Sequence, residues 1–218
     1  MNSDSRRHGV NRLKALREVT EAKAEEMAAE RPRFQRLADD RNAPRVVSSF
    51  NLFQTPEPLA ARLASMFPTF GRTLEPSAGL GRLYRAVRAR DADCPITLVD
   101  ISPECCGELY RETEGDGNAK LITGDFLTMD AARLGLFDSI IMNPPFKMGT
   151  DTRHVRQALT LLVPGGLLVS LCAAGPKQRK ALMPLAETGG EWIDLPAGSF
   201  TSEGTNVNAA IVVIRKLS

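Results

Sequence analysis

Four residues near the middle of the chain, Asn143-Pro144-Pro145-Phe146, combine types that could activate a weakly nucleophilic nitrogen. An amino group on an aromatic ring is a poor nucleophile, because its lone pair is delocalised into the ring. Two acceptors aimed at its N–H groups draw the nitrogen toward tetrahedral geometry and free that lone pair. The Asn143 side-chain oxygen and the Pro144 carbonyl supply such a pair, and two successive prolines, Pro144 and Pro145, hold the backbone rigid. Phe146 offers a flat apolar face on which the ring could stack. The plain alternative is an Asn-Pro turn that ends a strand. Context favours the chemistry: Asp138-Ser139-Ile140-Ile141-Met142 reads as a strand that runs into Asn143 without a gap.

Three more segments could hold a nucleoside-like ligand. Leu74-Glu75-Pro76-Ser77-Ala78-Gly79-Leu80-Gly81 follows an apolar strand and opens a helix, and its glycines let the backbone turn tightly against a ligand. The third glycine of a dinucleotide fingerprint is missing, with Tyr84 in its place, which disfavours NAD; no Gly-Lys-Ser/Thr follows, which excludes a P-loop. Asp100 ends the strand Ile96 to Val99, where an acid can accept both ribose hydroxyls of an adenosine. Gly124-Asp125-Phe126 closes the next strand: Asp125 can accept from an adenine amino group while Phe126 supplies an apolar face. Asp100 could instead cap the helix at Ser102-Pro103, and Asp125 could be a turn residue. Turns alone explain poorly why all three motifs fall in order on successive strands.

These motifs need a frame. From residue 46 strand-like runs (Thr73-Leu74, Ile96–Val99, Leu121-Ile122, Ser139–Met142, Leu167–Cys172 and Ala209–Ile214) alternate with helix-like stretches such as Leu59–Phe67, Arg82–Arg90 and His154–Leu162. Such alternation predicts a parallel sheet covered on both faces, with ligands outside the carboxyl ends of the strands. Pro164-Gly165-Gly166 is expected to stop one helix before a buried strand opens. Trp192–Leu195 and Val207–Arg215 could pair antiparallel. Residues 1–45 read as a charged helical arm and linker, and residues 46–218 as one catalytic domain. The arm carries eleven Lys/Arg against eight Asp/Glu, so all of the excess positive charge lies there, the whole chain being only +2.

Composition bounds the rest. At 218 residues and 43% hydrophobic, the chain can bury one sizeable core. No apolar run approaches the ~20 residues that span a bilayer, and residues 1–10 lack the apolar region of a secretory signal. Cys94, Cys105, Cys106 and Cys172 show no metal-ligand spacing, and the two histidines, His8 and His154, are far apart. No metal and no membrane are therefore expected, and a cytoplasmic setting is.

Taken together, the motifs resemble those of class I, S-adenosylmethionine-dependent amino-methyltransferases, most closely the DNA adenine-N6 methyltransferases, over a stretch from about Phe53 to the C-terminus. The resemblance implies a Rossmann-like, mostly parallel seven-stranded sheet with an antiparallel C-terminal strand and helices on both faces. It implies S-adenosylmethionine as cofactor and direct transfer of its methyl to an amino nitrogen, favouring N6 of adenine in DNA. Phe53-Gln54-Thr55-Pro56 matches the N-terminal cofactor element, with Thr55 suited as a helix N-cap before Pro56. Glu75, Ser77, Ala78, Gly79 and Gly81 match the loop around the methionine part, Asp100 followed by Ile101 the ribose-binding acid, and Asp125-Phe126 the adenine clamp. Asn143 to Phe146 is the catalytic motif. Phe200, in Phe200-Thr201-Ser202-Glu203-Gly204-Thr205, matches the aromatic residue that stacks on an extruded base.

Two departures qualify the match: Leu83 stands where Phe is more usual, and no target-recognition domain is evident after the sheet. Sequence readout, which needs an element in the major groove, would fall to the arm, surface loops, a separate specificity partner or a homodimer. Lys147 and Arg153, with Lys177, Arg179 and Lys180 after the fifth strand, could hold phosphates on the same edge. Structured RNA, modified at guanine N2 or adenine N6, is the second acceptor the resemblance allows. A protein glutamine amide and a cofactor-binding module without activity are further alternatives. Cytosine-C5 chemistry is disfavoured because no Pro-Cys pair is present.

Overall fold

The alternation of strands and helices builds one seven-stranded sheet in the computed structural model, which describes residues 54–217. The expectations for the arm at 1–45 and for Phe53 lie outside the described residues. In chain order the elements are α1 (Glu57–Ser65), β1 (Thr73–Glu75), α2 (Arg82–Arg88), β2 (Ile96–Asp100), α3 (Pro103–Glu112), β3 (Ala119–Thr123), α4 (Ala131–Leu134), β4 (Phe137–Met142), α5 (Thr150–Thr160), β5 (Leu162–Ala173), α6 (Pro176–Glu187), β6 (Gly190–Asp194) and β7 (Ala209–Arg215). The strand order is β3-β2-β1-β4-β5-β7-β6, with β1 to β5 parallel and β7 antiparallel to both its neighbours. This is the Rossmann-like, mostly parallel seven-stranded sheet that the motifs lead one to expect.

Strand periodicity divides the core. Ile141, Val169, Leu171 and Ile211 face one side, where they meet Leu63 of α1, Leu83 and Val87 of α2 and Leu109 of α3. Ile140, Met142, Leu168 and Val212 face the other, against Val155 and Ala158 of α5 and Leu182 of α6. Successive strand side chains point to opposite faces, so each central strand feeds both layers. Burying one large aliphatic side chain contributes about 1.5–3 kcal/mol, and β2 and β4 are buried almost throughout. The chain reverses its direction of sheet growth between β1 and β4. That switch point is where an open α/β sheet leaves a crevice.

One expectation fails here. Pro164-Gly165-Gly166 does not separate a helix from a strand but lies inside β5. Leu162 pairs with Phe137, and pairing resumes only at Leu167 opposite Ser139, so the segment bulges out of the ladder. Its freed backbone groups are met by Lys216, through Gly165 N–H to the Lys216 carbonyl (2.8 Å) and Lys216 N–H to the Gly166 carbonyl (3.0 Å).

Candidate active site

The carboxyl ends of β1, β2, β3 and β4 and the start of α5 enclose a cavity of about 490 Å³. The turn after β1 needs glycine: Gly81 starts α2 with φ 77°, and a β-carbon there would press on Glu112 and Leu109 at 3.1 Å. Asp100 locks this turn to its neighbour. One carboxylate oxygen accepts the Gly79 N–H (2.7 Å) and the other the Ser102 N–H (2.8 Å). A carboxylate has about four acceptor positions, so each oxygen keeps capacity for a hydroxyl. The helix cap that could have been Asp100 is Ser102, whose side chain accepts the Cys105 N–H.

Asp125 fills both roles open to it. Its Oδ1 accepts the Leu127 N–H (2.9 Å) and so caps a single 3-10 turn, while the residue also lines the cavity. Phe126 is buried beneath it, with its ring centroid 5.6 Å from that of His154. Thr55 is buried in the wall but caps nothing; α1 begins after Pro56, which has extended backbone and no side-chain cap.

Glu75 is the strongest local charge anomaly. It is 1% exposed, and its Oε2 has no hydrogen-bond partner among the described residues. Burial, followed by the negative charge of Asp100, pushes its carboxyl well above the usual range. An orphaned buried acceptor in a cavity wall fits a cationic ligand group.

Asn143, Pro144, Pro145 and Phe146 border the same cavity, directly beyond β4. Pro144 is buried and the other three are partly so. Arg153, expected on this edge as a phosphate-binding residue, lines the cavity, and so does His154. They lie three and four positions after Thr150 on α5, and all three line the cavity from one helix face. That spacing, starting four residues after Phe146, is visible in the sequence. His154 Nδ1 lies 3.0 Å from the Thr150 carbonyl, which makes it the N–H of the neutral ring, and burial pushes its pKa down.

Ser77, Ala78 and Ile101 also line the cavity, whereas Phe200 and the lysine and arginine candidates other than Arg153 lie outside its lining. Phe200 is fully buried, its ring edge-on to Phe146 with centroids 6.3 Å apart. It backs Phe146 within the core cluster instead of offering a free stacking face. Arg179 pairs with Asp194 and lies over Trp192. Lys177 donates to the Met148 carbonyl, while Lys147 and Lys180 are exposed. Ile101 is exposed at the cavity rim, a position suited to a ligand's apolar face.

A family model described as "Methyltransferase small domain" matches residues 42–187. The chain belongs to this family. The small ribosomal subunit RNA methyltransferase C of Shewanella loihica is 32% identical over 113 residues, which make up 48% of this chain and 32% of that protein. The chain thus matches about a third of the length of this relative. Among solved structures, a candidate RNA methyltransferase from Pyrococcus horikoshii superimposes with a TM-score of 0.60 at 20% identity, covering 76% of this chain and 87% of that one. Atu636 from Agrobacterium tumefaciens, described as a predicted O-methyltransferase, gives 0.55 at 26%, covering 73% and 81%. These two likenesses are of fold.

Membership and fold imply S-adenosylmethionine as the methyl donor of this small-domain methyltransferase. The residues present fit it: acceptors at Asp100 and Asp125, an apolar wall at Phe126, and the unpartnered Glu75 oxygen for positive charge. Among the described residues no group of three or more His, Cys, Asp or Glu is placed to hold a metal ion, and no helix is long and apolar enough to cross a membrane.

Proposed function

We propose that this chain methylates an exocyclic amino nitrogen of a base in RNA. The observation that carries the chemistry is that Asn143 to Phe146 border the cavity that Glu75, Asp100 and Asp125 also line. Asp100 and Asp125 would hold the nucleoside of the donor, and Glu75 would face its positive charge. Bound S-adenosylmethionine supplies an electrophilic methyl on a sulfonium. Asn143 Oδ1 and the Pro144 carbonyl would accept the two amino hydrogens and Phe146 would pack on the base, presenting the amine nitrogen in line with the donor's methyl. The extra proton leaves to water, so no strong base is needed. Holding the two reactants in line supplies much of the rate. RNA is preferred to DNA as acceptor because the curated relatives are named for ribosomal RNA. Exposed Lys147 and Arg153 beside the motif suit a phosphate backbone.

The test is Asn143→Ala. Loss of an acceptor that acts only in the transition state should lower methyl transfer to RNA by about 10²–10³-fold. Affinity for S-adenosylmethionine, measured by calorimetry, should stay within about threefold. A variant that methylates RNA as well as the wild type does would end this assignment.

A further inference from the structure

Among the described residues, Met148 is the only one other than glycine with left-handed backbone, at φ 55° and ψ 19°. A β-carbon makes that conformation unfavourable. Its side chain is also 87% exposed, more than any other large apolar side chain described. Strained backbone and an apolar side chain in water are both costs, and they coincide two residues after Phe146. Strain of this kind persists only where the surroundings over-determine it.

They do so here. Thr150 Oγ1 donates to the Lys147 carbonyl (2.8 Å), Lys177 Nζ to the Met148 carbonyl (3.1 Å) and Thr152 Oγ1 to the Gly149 carbonyl (2.7 Å). All three carbonyls of the turn are thus held by side chains. Gly149 is left-handed as well (φ 75°), and a β-carbon on it would lie 2.6 Å from Lys177 Nζ. Lys177 therefore closes over a turn that only glycine can complete. The turn joins Phe146 to Thr150, both of which line the cavity, so Met148 lies two residues from each, on a segment where Lys147 and Arg153 are also exposed.

We propose that Met148 is an acceptor-binding residue: its side chain packs on the nucleobase next to the target and holds the target turned into the cavity. A thioether has favourable contacts with aromatic rings, and unstacked RNA bases are recognised through their faces. Flanking positive charge points to a polyanion as the bearer of that ring. Lys177 becomes a positioning residue, its ammonium spent on the Met148 turn. The proposal rests on the RNA reading given above.

Met148→Gly separates this role from a structural one. It removes the backbone strain, so the melting temperature should hold or rise, and affinity for S-adenosylmethionine should stay within about twofold. Efficiency of transfer to in vitro transcribed small-subunit ribosomal RNA should fall about tenfold, through KM. Peroxide should oxidise Met148 readily in the free wild-type protein, and that RNA with S-adenosylhomocysteine should slow the oxidation about fivefold or more. Wild-type transfer to RNA with an equally efficient Met148→Gly, or no protection from peroxide, overturns the role of Met148 alone. No transfer to RNA by the wild type overturns the RNA reading and this proposal together.

Discussion

The two sides of the cavity are built differently. The proposed donor wall, at the ends of β1, β2 and β3, is fixed by backbone groups: Asp100 ties two successive turns through their N–H groups, and Asp125 caps its own turn. The proposed acceptor edge, from Phe146 to Thr152, is held by side chains on carbonyls and exposes Lys147 and Met148. A ligand common to a whole family can be met by a wall that the fold itself determines. An acceptor that differs between relatives is met by residues that can change without disturbing the sheet.

The contrast can be broken from the donor side. Asp100→Ala should produce the larger effect, because it removes two candidate hydroxyl acceptors and strands the Gly79 and Ser102 N–H groups. Hydrogen bonds to a charged group contribute about 1.5–3 kcal/mol each, so affinity for S-adenosylmethionine should fall by roughly 100-fold or more, with a lowered melting temperature. Unchanged affinity would mean that this wall does not hold the donor.

A smaller effect concerns pH. The folded Glu75 carboxyl titrates above its ordinary value of 4.5. Its contribution to stability is therefore full below that value and is lost as pH rises through the folded pKa. A cation beside it favours the ionised form, so donor binding should release a proton and strengthen with pH in that window, by at most about tenfold per unit. Calorimetry in buffers of different ionisation enthalpy reads the proton directly, and Glu75→Gln should abolish the buffer dependence. A wild-type heat independent of buffer would leave Glu75 outside the donor site.

Much of the donor wall was legible in the sequence because local rules wrote it. Three-residue β1 could be recognised from Thr73-Leu74 since the glycine turn marks its end; Asp100 follows an apolar run directly, and Asp125 follows one within three residues. What was misread depended on distant partners. Pro164-Gly165-Gly166 has the composition of a helix stop, yet Lys216, some fifty residues on, accepts and donates for it inside β5. Phe200 follows a motif-like pattern, but its burial is set by packing against Phe146 and the β7 layer. Thr55 has the right type for a cap, and the helix starts one residue too late to use it. His154 could be set aside as a metal ligand from sequence, but its contact with Phe126 depends on how its helix packs and is visible only in the structure.

The central claim is that one cavity joins S-adenosylmethionine to an amino group in RNA. The most direct test is transfer of radiolabelled methyl to total RNA, duplex DNA and single-stranded DNA in parallel, followed by nucleoside analysis. The account predicts label in RNA, recovered as an N-methylated guanine or adenine. Label confined to DNA, or carried on a ring carbon or ribose oxygen, would contradict it.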